Sequence, residues 1–160
     1  MKVYHGTTLI LEHPLVSAGR PHLDFGQGFY VTDIQQQAES WANRIRRIRL
    51  ASGVVNVYEF DLDKAKSLFS YYKFEKYDNE WLQFIVANRI GRDDIPHYDI
   101  IEGGVANDRV IDTVEGYMSN LMSLENALKE LSKHSPNNQI CISTQQVIED
   151  CLKFIDFYNI

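Results

Sequence analysis

Phe25-Gly26-Gln27-Gly28-Phe29-Tyr30-Val31-Thr32-Asp33 carries more information than any other stretch of this 160-residue chain. Two glycines bracket one polar residue, an aromatic-rich strand follows, and a helix-start signal comes directly after it. Glycine tolerates positive φ and lets a ligand approach the backbone, so a glycine-bracketed turn beside an aromatic face suits a flat, phosphate-bearing molecule such as a nucleotide. The opening of the chain adds a second segment of this kind. There Val3-Tyr4-His5 reads as a strand that Gly6 ends, followed by Thr7 and Thr8.

Length and composition bound what surrounds these segments. A chain of this length is expected to form one domain, residues 1–160, burying roughly two thirds of the surface its unfolded form exposes. Apolar residues at 44% and aromatics at 12% describe an ordinary folded protein. The net charge of −6 argues against a generally basic nucleic-acid or membrane-surface protein. Cys141 and Cys151 are expected as two reduced, buried thiols. Ten positions apart they offer no zinc spacing, and His13, His22, His97 and His134 are scattered, so no metal site is expected. The N-terminus begins a strand without a leader-like run and no segment approaches transmembrane length, so the expected location is the cytoplasm, with no membrane partner.

Hydrophobic periodicity places the remaining elements. A helix is expected from Ile34 to about Leu50, capped by Thr32 or Asp33, with Ile34, Ala38, Trp41, Ile45 and Ile48 on its inward face. Val54 to Asp61 is the strongest strand signal. A short strand is expected near Ser67-Leu68-Phe69, and a helix from Asp78 to about Ile90 with Gly91 beyond its end. Asp99–Gly103 reads as a strand leading into the polar turn Val105-Ala106-Asn107-Asp108. Helical segments follow over 113–121 and 123–132, then a strand at Gln139–Ile142, a helix from Thr144 to Asp150 and a last strand from Leu152 to Phe157. Strands and helices mix without regular βαβ alternation, which makes the fold class α+β.

His5-Gly6-Thr7, the Phe25–Tyr30 segment, Trp41 eleven positions after Tyr30, and the strand Asn138-Gln139-Ile140-Cys141-Ile142 together resemble the motifs of the ADP-ribosyltransferase superfamily, in its diphtheria-toxin and poly(ADP-ribose) polymerase branch. The resemblance implies a mixed or antiparallel split sheet flanked by helices around an NAD cleft. It implies mono-ADP-ribosyltransferase activity, with NAD as co-substrate, no metal, and a protein, RNA or DNA acceptor. Small solitary members in bacteria are often toxins held by an antitoxin protein or used against phage.

Residue roles follow from the same resemblance. His5 bonds a ribose hydroxyl, the Gly6 backbone pairs with the nicotinamide carboxamide, Tyr30 stacks on the nicotinamide ring and Trp41 covers its other face, with Thr7 and Gly28 completing the NAD-binding set. A cationic pyridinium gains from aromatic faces by roughly 1–2 kcal/mol when desolvated. Gln139 stands where the family has a glutamate; it keeps a hydrogen bond but has neither the charge nor the basicity. Chain-building is therefore not expected, and single-unit transfer remains. Either Gln139 positions while Asp108 supplies the missing carboxylate, or catalysis rests on orientation, or the protein is a non-catalytic NAD or ADP-ribose-binding module. Gln27 occupies the loop position beside the acceptor, and Ala38 a position where a nicotinamide-binding serine is common. Arg44, Arg46, Arg47 and Arg49 form either a solvated flank or a path for a nucleic-acid acceptor.

Overall fold

Val54–Phe60 (β3), rich in β-branched and aromatic residues, is the middle of one sheet. It pairs antiparallel with Lys2–Thr7 (β1) on one side and with Leu152–Asn159 (β7) on the other. A second sheet runs in the order Phe29–Val31 (β2), Gln139–Ile142 (β6), Ile100–Gly103 (β5) and Tyr71–Phe74 (β4). Its pairs are antiparallel except β4 with β5. The computed structural model describes residues 1–107 and 110–160. Among these the sheets meet at an isolated bridge, where Tyr4 and Thr32 exchange both backbone hydrogen bonds, at 2.8 and 3.0 Å.

Both faces of the second sheet are covered, and the period of two along each strand sorts its side chains. Tyr30, Ile101 and Cys141 face a core built with Trp81, Leu82 and Ile85 of helix Asn79–Arg89 (α3), Val114 of Ile111–Met118 (α4) and Leu131 of Leu124–Leu131 (α5). Val31, Ile100, Ile140 and Ile142 face the opposite way. They meet Val3, Tyr58 and Phe60, together with Ala65 of Leu62–Leu68 (α2) and Val147 and Ile148 of Gln145–Cys151 (α6). Each fully buried large side chain contributes about 1.5–3 kcal/mol of burial free energy, so these two clusters carry most of the favourable term. The result is an α+β fold, as the absence of βαβ alternation predicts.

Helix Gln35–Arg49 (α1) departs from its expected inward face. Its buried residues are Ala38 and Ala42, whereas Ile48 is 75% exposed and Ile34 also faces solvent. The cause is Gly6, which lies inside β1 rather than ending it. A Cβ there would lie 1.9 Å from the Ala38 carbonyl oxygen and 2.8 Å from the Ala42 amide nitrogen. Strand and helix backbones are in contact, and only small residues fit between them.

Other differences have local causes. The expected strand near Ser67–Phe69 is the end of α2, whose N-cap Asp61 accepts a hydrogen bond from Lys64 N–H at 3.1 Å. The edge strand β4 buries only Phe74 and shows no alternating pattern to read. Neither Thr32 nor Asp33 caps α1; the N-cap is Ile34, and the Thr32 hydroxyl donates to the Asn138 carbonyl at 2.7 Å. Thr144 likewise gives its hydroxyl to Asp99 at 2.5 Å rather than to a helix end. Both hydroxyls make tertiary bonds that sequence neighbours do not reveal.

Candidate functional site

The separation of the two sheets creates the site. In β1, Met1 and Phe60 are bonded across to β3 while Tyr4 exchanges bonds with Thr32, so odd-numbered residues point their backbone polar groups toward β3 and even-numbered ones toward β2. Gly6 therefore directs its N–H and C=O to the β2 side, where antiparallel counting puts Tyr30 opposite it. The ladder does not continue to that pair. The Tyr30 carbonyl accepts instead from His5 Nδ1–H at 2.7 Å. Among the described residues no hydrogen bond closes onto Gly6 from that side, so a planar donor–acceptor edge opens between the sheets.

His5 and Tyr30 are thus joined, with distinct environments. The His5 ring packs on Phe29, centroids 4.6 Å apart. Burial lowers its pKa below the ordinary 6.5, outweighing the carbonyl contact that raises it. The lowered pKa favours the neutral imidazole, and the carbonyl partner requires the proton on Nδ1, which leaves Nε2 as an acceptor. The Tyr30 ring lies on the opposite face, in the α3–α5 core, and the residue is only 9% exposed. Its hydroxyl donates to Gly26 O at 2.6 Å and accepts from Phe25 N–H at 3.1 Å, and burial raises its pKa well above 10. Positive φ at Gly26 (82°) lets the turn place both backbone groups on that hydroxyl. Gly28 is required by packing: a Cβ would lie 2.5 Å from Cys141 Sγ.

A pH dependence follows. The unfolded chain binds a proton at His5 near pH 6.5 and the folded chain only below that, so this group's contribution is complete above pH 6.5 and is lost as pH falls through and below it. The expected result is a midpoint of thermal unfolding that declines from pH 7 to pH 5 more steeply in the wild type than in His5→Asn, by at most about 1.4 kcal/mol per pH unit. Equal slopes in calorimetry would show that His5 is not held neutral.

Trp41 is placed by its own helix. Gln37, one turn earlier on the same flank, donates from Nε2 to Asn138 O at 3.1 Å, so that flank of α1 overlooks β6 and the split. On the opposite flank Tyr158 of β7 donates to Glu39 at 2.9 Å. Trp41 is half-buried, and its indole carries no hydrogen bond among the described residues. Asn138 is the organiser here: its carbonyl also accepts from Thr32, and its amide donates to Asp33 at 3.0 Å. It holds the start of β6 against the β2–α1 junction. Gln139, next along, is 7% exposed, lies on the face of Tyr30 and Cys141, and has no side-chain hydrogen bond among the described residues. Asn138 enters the sequence reading only as the first residue of the Asn138–Ile142 motif, and nothing local signals its tertiary role.

Gly103 pairs with Gln139, and the loop that leaves it is fixed at several points. Trp81 Nε1–H donates to Gly104 O at 2.7 Å, Asn137 Oδ1 accepts from Val105 N–H at 2.9 Å, and Asp24 Oδ2 accepts from Ala106 N–H at 2.7 Å. The other oxygen of buried Asp24 takes Arg89 Nε and Nη2 at 2.8 and 2.7 Å. This ion pair beside the glycine turn has no sequence motif. Asp108, the expected replacement carboxylate, lies outside the described residues.

Residues 1–154 match the family described as "Protein of unknown function (DUF3990)". The chain belongs to the DUF3990 family. No curated protein and no solved structure matches it.

The remaining candidates of this DUF3990 chain have mixed placements. Thr7 ends β1 and is buried. Gln27 donates to Ser17 O and Gly19 O at 3.2 and 2.8 Å, bracing a turn. Of the α1 arginines, Arg46 donates to Ile160 O at 2.9 Å, Arg49 reaches Thr8 at 3.4 Å, and Arg47 is exposed. Two clefts, of about 500 Å3 beside Asp24 and Arg89 and about 650 Å3 beside Tyr58 and Phe154, lie apart from the split, and His5, Tyr30, Trp41 and Gln139 line neither. Both cysteines are free and buried, and burial pushes the Cys141 thiol up to about 12. Among the described residues no cluster has metal-ligand composition, and no helix is long and apolar enough to cross a membrane.

Proposed function

We propose that this chain is an NAD-dependent mono-ADP-ribosyltransferase acting on a macromolecular acceptor, with an ADP-ribosyltransferase-like fold. The observation that supports this reading best is the unpaired Gly6 edge in the split between β1 and β2. A primary carboxamide is a planar donor–acceptor pair that substitutes for the missing strand partner. Its oxygen accepts from Gly6 N–H and its NH2 donates to Gly6 C=O, with Trp41 overhead; the Tyr30 ring, packed in the α3–α5 core, supports the slot through the backbone carbonyl that holds His5 rather than as a stacking face. His5 Nε2 then accepts from a ribose hydroxyl, and Gln139 bonds another.

In this geometry the bond from ribose C1′ to the nicotinamide nitrogen breaks, nicotinamide leaves with the electron pair, and an acceptor nucleophile forms the new bond at C1′. Orientation supplies most of the acceleration. A neutral Gln139 contributes no charge to the oxocarbenium-like transition state. That favours a second reading, a module that binds NAD or ADP-ribosyl groups without turnover.

Nicotinamide release from NAD, measured by chromatography, separates the two. Gln139→Glu restores the carboxylate, and its expected effect on an enzyme is a rise in turnover of roughly 10- to 100-fold. An NAD-dependent rise in Tm with no nicotinamide from either form assigns the binding module. No response to NAD in either measurement removes both readings.

A further inference from the structure

The face of the first sheet turned away from α1 carries the cleft of about 650 Å3. Tyr58, Ile148 and Phe154, buried or half-buried, form its floor, Leu15 stands at its rim, and Glu12 and Glu149 bring carboxylates from the loop after β1 and from α6. The groove is preformed. Tyr58 donates its hydroxyl to Leu11 O at 2.6 Å, while Gln145 accepts from Val16 N–H at 3.0 Å and donates to Pro14 O at 3.2 Å, which ties the loop to α6.

Apolar surface continues beyond the groove. Leu15, Leu9 and Ile10 are 57%, 54% and 48% exposed. The Asn56 carboxamide holds residues 9–11 by bonds of 2.8 and 2.9 Å, and Asn56 stands opposite exposed Phe157 in the sheet, so this side chain flanks the same segment. Exposed apolar side chains grouped beside a groove are what a protein-binding face presents. Strand addition along β7 is opposed. Asp156 accepts the Phe157 N–H at 2.8 Å, and the pairing register shifts at Val57/Tyr58, two devices that protect a sheet edge. A partner must therefore engage the face through its side chains.

Charge selects the partner. Glu12 and Glu149 have no ion-pair partner among the described residues, against one lining ammonium, Lys153. The chain's net charge of −6 disfavours a second copy. We infer that this groove docks a basic, apolar segment of a partner protein, with its large apolar side chains on Tyr58, Ile148 and Phe154 and its cationic groups against Glu12 and Glu149. The inference does not use the nicotinamide slot and holds whether or not NAD binds.

The test is fluorescence anisotropy of the whole chain with a labelled, amidated nine-residue peptide alternating Arg with Leu and Phe, and with its Glu-for-Arg counterpart. Saturable binding of the basic peptide alone is expected, weakened roughly tenfold in Glu12→Gln/Glu149→Gln and more in Leu15→Lys. Both variants alter exposed positions and are expected to retain the fold. Leu121→Lys, on the exposed α4–α5 connection, is expected to bind as the wild type does. Equal binding of the acidic peptide, indifference to the groove variants, or an equal loss in Leu121→Lys overturns the proposal. So does self-association abolished by Leu15→Lys, which would assign the groove to a second copy.

Discussion

Gly6→Ala is expected to destabilise the protein by about 3 kcal/mol, the upper part of the range for overpacking, because the atoms met are backbone rather than flexible side chain. The added methyl would lie 1.9 Å from the Ala38 carbonyl oxygen and 2.9 Å from the Ala38 carbonyl carbon. No rotamer change relieves that contact; either α1 or β1 must move as a unit. For a domain of this size the Tm is expected to fall by about 10 °C, and differential scanning calorimetry measures it. Gly116→Ala in α4 is the matched control, since its Cβ would meet nothing nearer than Met122 at 3.6 Å. It is expected to be neutral or to stabilise by up to about 1 kcal/mol through helix propensity. A Gly6→Ala protein within 1 kcal/mol of the wild type would show that β1 and α1 are not in backbone contact. The displacement also carries Trp41 away from the Gly6 edge, so retained stability with lost NAD response is not the expected pattern; both fall together.

Trp41→Ala is expected to lower kcat/KM for nicotinamide release by about 30-fold, the equivalent of about 2 kcal/mol of cation–π stabilisation on a desolvated pyridinium. Stability is expected to change little, because Trp41 is only half-buried and belongs to none of the apolar clusters. Trp41→Phe keeps an aromatic face and is expected to recover most of the activity. The chain has two tryptophans, and the other, Trp81, is fully buried with its N–H bonded to Gly104. Quenching of indole fluorescence on titration with NAD is therefore expected to come from Trp41 and to vanish in Trp41→Ala. Unchanged turnover and unchanged quenching in Trp41→Ala would remove the nicotinamide slot from the proposed function. Quenching by NAD in the wild type without turnover supports the binding module.

The sequence by itself determined the α+β class, most element positions and the short motifs that frame the site. Val54–Phe60, Gln139–Ile142 and the capped helix after Asp78 follow from periodicity and from residues that act on their immediate neighbours, which a local pattern records. Only the tertiary structure decided how the motifs are used. Gly6 reads as a strand terminator in the sequence and is a strand interior against a helix, because its constraint comes from Ala38, which is distant in the chain. Thr32 reads as a helix cap and instead bonds Asn138, and Thr144, at the N-cap position of α6, gives its hydroxyl to Asp99. The Asp24–Arg89 pair and the Asn138 junction join segments far apart along the chain and leave no periodic trace. A hydrogen bond or steric contact between distant residues is a property of the folded geometry, and this is why the contact of Gly6 with α1 and the Asn138 junction, unlike the strands they join, leave no local pattern in the sequence.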